Sequence, residues 1–244
     1  MAAGGHWQDG ERPPSLRLLS WNIHKCLGTD GRRDPARILS VIAGLAPDVA
    51  VLQEADRKVG RNRGLFGADE VMSETGMRLW TPGPAAKGEA GWHGNALFAR
   101  SDIECLAVRT IRLPSLEPRG AVIWSLSAGG LGFDVIGMHL ALLGAVRRVQ
   151  AASIAAVIAS RPPVPTIVAG DSNDWHVGSP AMRPLEEVLG TRSTRLRTFP
   201  ARMPMLSLDR VMAGRGAEAV RLTAQAAGKA SDHLPVMAEI RLPS

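Results

Sequence analysis

The sequence predicts an α/β protein in which two mixed β-sheets pack on each other and helices flank them. Three observations carry this. Short apolar runs rich in β-branched residues alternate with segments of helical spacing along the chain. Hairpin signals occur beside long helical crossovers, which mixes antiparallel with parallel pairing. The strands are also too numerous for one open sheet with a single helical cover.

The elements follow in order. "LRLLSWNI" (16–23) reads as a strand, and "DPARILSVIAGLAP" (34–47) as a helix capped by Asp34. Pro35 stands at its first helical position, where the missing N–H has no intrahelical partner to lose. "DVAVLQEA" (48–55) is a second strand, a helix lies near 68–77, and "GNALFARS" (94–101) is a strand entered through the loop "GPAAKGEAGWH". "AVIWSLS" (121–127) and "GFDVIGMHL" (132–140) flank Gly129 and Gly130, a hairpin signal. "RRVQAASIAAVIASR" (147–161) has helical spacing and is stopped by Pro162 and Pro163. The strands "TIVAG" (166–170), "SLDRVMA" (207–213), "AEAVRLTA" (217–224) and "PVMAEIRL" (235–242) complete the set, with a further helix over 179–189.

The 244 residues suit one domain over 15–244, preceded by a disordered lead-in 1–14, "MAAGGHWQDGERPP", which has no apolar core of an export signal. No apolar run reaches the roughly 18 residues of a membrane span, so the cytoplasm is the expected compartment and a monomer the default state. Cys26 and Cys105 are then expected as buried thiols, not as a disulfide. The formal charge of +6 either favours anionic partners or reflects an Arg-rich compositional bias.

The predicted strands end on carboxylates, amides and imidazoles. Asn22 and His24 end the first, Gln53 and Glu54 the second, and His139 the hairpin; Asp171 and Asn173 follow "TIVAG". Asp209 lies in "SLDRVM", and Asp232 and His233 precede the last strand. If both sheets present these ends at one edge, Glu54, Asp171, Asp209 and Asp232 share a cleft, which demands a cation. Hard oxygen donors point to Mg²⁺ or Mn²⁺ and to phosphoester hydrolysis.

With these residues in family order, the chain resembles the endonuclease/exonuclease/phosphatase family of metal-dependent phosphoesterases from about residue 17 to 242. The carriers are "WNIH", "LQE", "GNALFAR", "EPRGAV", "MHL", "GDSND", "LDRV" and "SDHLPV". The resemblance implies a four-layer, deoxyribonuclease I-like α/β sandwich with its site at one edge. It implies Glu54 as the principal metal ligand with Asn22 beside it, Asp232 as a further candidate, and Asp171 as the group that orients or deprotonates the attacking water. Asn173 would donate to the phosphoryl oxygens, and His233, held by Asp209, would contact the scissile phosphate. His139 would assist at the phosphate or leaving group, with Arg119 as a fixed positive charge.

Two departures stand out: Ser172 where the family usually has Phe, and Met138 where it often has Thr. The absence of tyrosine disfavours the abasic-site endonuclease branch. Asp174 reads as a turn cap, and Trp92 and His93 as candidate substrate contacts. Arg57, Lys58, Arg61 and Arg63 either line a cleft for a polyanion or form a solvated basic loop. The expected activity is therefore Mg²⁺-dependent phosphodiester hydrolysis, nuclease action leading over phospholipid or small phosphoester hydrolysis. A non-catalytic nucleic-acid or lipid binder is the alternative of another class.

Overall fold

The computed structural model describes residues 15–58, 61–82, 94–114, 119–176 and 179–243. The lead-in and the loop bearing Trp92 and His93 lie outside the described residues, as do the side chains of the basic cluster from Arg57 to Arg63.

In chain order the elements are β1 Ser15–Asn22, α1 Pro35–Leu45, β2 Val49–Gln53, β3 Asp56–Lys58, β4 Arg61–Gly64, α2 Ala68–Thr75, β5 Met77–Trp80 and β6 Ala96–Arg100. They continue with β7 Ile103–Arg112, β8 Gly120–Ala128, β9 Leu131–His139, α3 Gly144–Ala159, β10 Thr166–Asp171, α4 Arg183–Leu189, β11 Asp209–Gly214, β12 Glu218–Ala224 and β13 Val236–Arg241. One sheet has the order β12-β13-β1-β2-β6-β5, the other β11-β10-β9-β8-β7, and β3 and β4 form a two-stranded sheet. Parallel pairing occurs between β1 and β2, joined through α1, and between β9 and β10, joined through α3. The hairpin across Gly129 and Gly130 joins β8 to β9, as the turn residues predict.

The layering follows from side-chain alternation on the strands. Leu18 and Val49 from one sheet meet Trp124, Val135 and Ile167 from the other in the central core. Their neighbours Leu19 and Ala50 point the opposite way, onto Ile38, Leu39 and Ile42 of α1. On the far side Ile123, Ile136 and Val168 pack under Ile154 and Ile158 of α3 and Leu185 of α4. Helix, sheet, sheet and helix therefore form the four-layer sandwich.

Four strands were not predicted: β3, β4, β5 and β7. β5 starts where the helix over 68–77 was expected to end, because Gly76 takes a left-handed φ of 69° and stops α2. β7 is an edge strand on β8 whose alternation is broken by a register shift between Cys105 and Ala107. Its period-2 signal is accordingly lost. Cys26 is buried and Cys105 half-buried, both are free thiols, and burial pushes the Cys26 thiol up to about 12.

The two core strands that carry the polar ends are held close by glycine. Gly170 in β10 has a φ of 145°, and a Cβ there would lie 1.9 Å from the Met138 carbonyl oxygen of β9. Gly170→Ala is therefore expected to separate β9 from β10 and lower the thermal midpoint by well over 5 °C, read by differential scanning calorimetry.

Candidate active site

Register brings the strand ends together. Asp171, the last residue of β10, is opposite His139 of β9 on one side and Asp209 of β11 on the other. Three side chains at sequence positions 139, 171 and 209 thus stand side by side at one edge of a sheet. On the facing sheet Asn22 ends β1 opposite Gln53 of β2, so Glu54 emerges next to it. His233 enters from the turn before β13, its carbonyl held by the buried Trp21 indole, which donates from Nε1 at 2.9 Å.

Asn22 joins the two sheets. Its Nδ2 donates to Asp171 Oδ2 at 3.0 Å and reaches Glu54 Oε1 at 3.4 Å, while its Oδ1 accepts from the His24 N–H at 3.0 Å. Asp171 Oδ2 also lies 3.6 Å from His139 Nε2 and 3.9 Å from His233 Nε2. Its Oδ1 accepts from the backbone N–H of Asn173 at 2.8 Å. Asn173 in turn spends one amide N–H on the Leu140 carbonyl at 2.9 Å, which ties the loop after β10 to the end of β9. Arg119 Nη1 stands 2.7 Å from His139 Nδ1 and also touches Nε2.

The backbone is strained at these positions. Glu54 and Asn173 have left-handed φ values of 57° and 51°, and His24, Lys25 and Cys26 form a left-handed run at 46°, 52° and 59°. Left-handed backbone costs a residue with a Cβ roughly 1–2 kcal/mol, so the surrounding contacts must over-determine it. One such contact is Gly94, which packs so near that a Cβ there would lie 3.1 Å from the Glu54 Cα.

The charges are set by this packing. Asp171 is pushed up to about 6, by burial first and then by the neighbouring Asp209 carboxylate. His233 is pushed up to about 10: burial works against its charge, and attraction to Asp209, Asp171 and Asp232 outweighs that. Its Nδ1–H donates to Asp209 Oδ2 at 3.0 Å. His139 is driven well below its ordinary value by burial and by the Arg119 guanidinium, so its ring is neutral. Two histidines a few residues' width apart therefore hold opposite protonation states at neutral pH.

Asn22, His24, Glu54, Arg119, His139, Asp171, Asn173, Asp209 and His233 fall into this network, whereas the Gln53 amide turns back on the Val51 carbonyl at 3.2 Å. Asp232 sits at its edge, about a third exposed, 3.5 Å from His24 Nδ1. Asp174 does not cap a turn: it is buried, 3.5 Å from Arg147 Nη2 of α3, and its carbonyl accepts from Arg210. Asp209 is buried, and its Oδ2 accepts from Thr198 Oγ1 at 2.5 Å as well as from His233. Ser172 has a place where Phe would not bond: its Oγ donates to the Leu208 carbonyl at 2.6 Å and accepts from the Asp174 N–H.

Sequence reasoning missed several contributors. Thr198 is one; Ser231 is another, its hydroxyl donating to the Asn22 carbonyl at 2.8 Å and accepting from the His233 N–H. Phe199 lays its ring 4.9 Å from that of His233. Lys25 brings its ammonium 3.6 Å from Glu54 Oε2. Ser231 opens the "SDHLPV" motif, where a hydroxyl two positions before His233 is a local turn signal; Thr198, Phe199 and Lys25 belong to no spaced motif.

The donor set suits a hard divalent cation. Asn22 Nδ2 touches both Glu54 and Asp171, so two carboxylates lie near one point, and Asp209 Oδ1 is buried without a hydrogen-bond partner among the described residues. No three of His, Cys, Asp or Glu gather at ligand range among the described residues. A cation here would be completed by water and substrate oxygens, which is the habit of Mg²⁺.

An α/β sandwich with carboxylate, amide and imidazole side chains at the aligned strand ends defines a phosphoesterase fold. The chain belongs to the Endonuclease/Exonuclease/phosphatase family, whose profile matches residues 19–233. Members of the family are hydrolases of phosphoester bonds and generally use divalent metal ions. The chain is 30% identical to the uncharacterized protein YbhP of Escherichia coli K12 over 93% of this chain and 97% of that one. Among solved structures it is similar to the human Nocturnin catalytic domain with bound sulfate, at 21% identity and a TM-score of 0.68, covering 94% of this chain and 95% of that one. It is also similar to D. rerio TDP2 complexed with single-strand DNA product, at 17% identity and a TM-score of 0.67, covering 93% and 99%. At these identities the two structures speak to the fold.

Proposed function

We propose that the protein is a Mg²⁺- or Mn²⁺-dependent phosphodiesterase that hydrolyses its substrate by attack of water at the edge defined by Asp171. The observation that supports this best is the opposed tuning around Asp171: a carboxylate near 6, a cationic His233 and a neutral His139 within 4 Å of one oxygen or its partners.

Asp171 is suited to orient the attacking water and hold its proton, because a base near the working pH is both available and strong enough to take it. His233, protonated and anchored on Asp209, donates from Nε2 to a phosphoryl oxygen as negative charge builds there. The second N–H of the Asn173 amide serves the same oxygens, oriented by the bond of the first to Leu140. His139, neutral and backed by Arg119, offers a hydrogen bond at the phosphate or the leaving oxygen. Glu54, with Asn22 beside it and Asp232 at the edge, would hold the divalent ion. When bound, such an ion neutralises charge on the phosphoryl oxygens.

The nucleic-acid reading draws on relatives such as the TDP2 complex with DNA product. The basic cluster that favoured it in the sequence lies outside the described side chains. The test is hydrolysis of bis(p-nitrophenyl) phosphate by purified protein with Mg²⁺ or Mn²⁺. Turnover should vanish in chelator and return on adding metal. Equal rates in chelator, or full metal-supported activity in Glu54→Gln, would sink the proposal.

A further inference from the structure

We propose that the rim of this site docks on an anionic phospholipid bilayer, so that the phosphoester of a lipid headgroup is presented to Asp171 and His233; the substrate part of this rests on the phosphodiesterase reading above. No helix among the described residues is long and apolar enough to cross a membrane, so the docking is peripheral.

The described residues include nine large apolar side chains exposed to water, and five of them lie on the three loops that build the site. Leu142 and Leu143, 52% and 64% exposed, follow His139; Trp175, 39% exposed, follows Asn173; Met203 and Met205, 62% and 56% exposed, follow Phe199. These loops are fastened to the site residues. Leu140 donates its N–H to the Asp171 carbonyl, and the Ala201 N–H donates to the Asp232 carbonyl at 2.7 Å.

The Leu142–Leu143 tip is held out deliberately. Arg147 of α3, only 2% exposed, donates to the carbonyls of Ala141 and Leu142 and covers the Trp175 ring at 5.6 Å. Burying a guanidinium is costly, and here it keeps two leucines in water. Each such side chain leaves apolar area in water that an acyl boundary would take up.

The charge beside these tips selects the occupant. Exposed Arg148 follows the leucine tip and exposed Arg202 precedes Met203, on a chain of net charge +6. Apolar tips with Arg at their base fit an anionic bilayer, where the side chains enter the acyl boundary and the guanidinium groups remain among headgroups. Single-stranded nucleic acid fits less well, since it is held by stacking on aromatic faces. Four of the five tips are aliphatic, and Arg147 already covers the Trp175 ring. A second copy fits less well too, because a two-fold contact through this face sets Arg148 and Arg202 against a surface carrying the same cations.

The test is co-sedimentation with vesicles of phosphatidylglycerol mixed with phosphatidylcholine, against pure phosphatidylcholine, in parallel with hydrolysis of water-soluble bis(p-nitrophenyl) phosphate. The full chain should partition onto the anionic vesicles, less so at high salt. Leu142→Ser/Leu143→Ser should weaken partitioning at least ~10-fold, equivalent to about 1.4 kcal/mol, with the soluble substrate turned over at the unaltered rate. Serine at 143 is a favourable N-cap for α3, so the variant keeps its fold. Absence of vesicle binding, or equal binding by the variant, overturns the proposal. Failure of wild-type hydrolysis of the soluble substrate instead overturns the phosphodiesterase reading and leaves the vesicle result to be judged by itself.

Discussion

Asp171→Asn should lower metal-supported phosphodiester hydrolysis by about 10²–10⁴-fold, the span that a positioned proton acceptor contributes. The substitution is nearly isosteric. The Asn173 N–H keeps an oxygen acceptor, while Asn22 Nδ2 loses one and faces an amide instead. Against that loss, a carboxylate that burial and Asp209 disfavour has been removed. Folding should therefore survive while turnover collapses, measured as kcat beside a thermal melt.

The wild-type protein should show the same group in its stability. Asp171 titrates near 6 when folded and near 3.8 when unfolded, so between these values the folded state binds more protons. Stability without added metal should accordingly fall as pH rises through that window, and Asp171→Asn should flatten that slope. An unchanged kcat in the variant would remove Asp171 from the reaction.

Asp209→Asn should cost about 10²-fold in rate at pH 8 and shift the alkaline limb of the activity profile downward by more than one pH unit. His233 owes its position near 10 to Asp209 above its other anionic neighbours. Without that carboxylate, burial regains its influence and the imidazolium loses its proton at lower pH. A raised histidine value stabilises the fold fully below its unfolded value of 6.5, and the contribution disappears as pH rises through about 10. In the variant the stability loss should begin at lower pH as well, which a pH series of melts would record. An alkaline limb that stays in place would mean that His233 protonation does not limit the reaction.

The polar strand ends are legible in one dimension because strands and their punctuation are local. "AGDSND" ends a β-branched run, and "SDHLPV" opens one, so their side chains must stand at strand ends wherever those strands go. Asn22, Glu54, His139, Asp171, Asn173, Asp209, Asp232 and His233 could be singled out on this ground, and two packed sheets flanked by helices follow from crossovers mixed with hairpins.

What only the folded chain decides is who meets whom. Residue-level register sets His139 and Asp209 on either side of Asp171, and the packing of one sheet on the other brings Asn22 against the same carboxylate. That meeting, together with burial no local pattern encodes, makes one histidine a cation and the other neutral. Thr198, Arg147 and the hydroxyl of Ser172 find their partners 11, 27 and 36 positions away, across loops with no fixed spacing. The sequence by itself determined which side chains reach the edge, since alternation and turn chemistry act over a few residues. Tertiary structure decided their protonation and their partners, because Coulomb and desolvation energies depend on distances in space that sequence separation does not set.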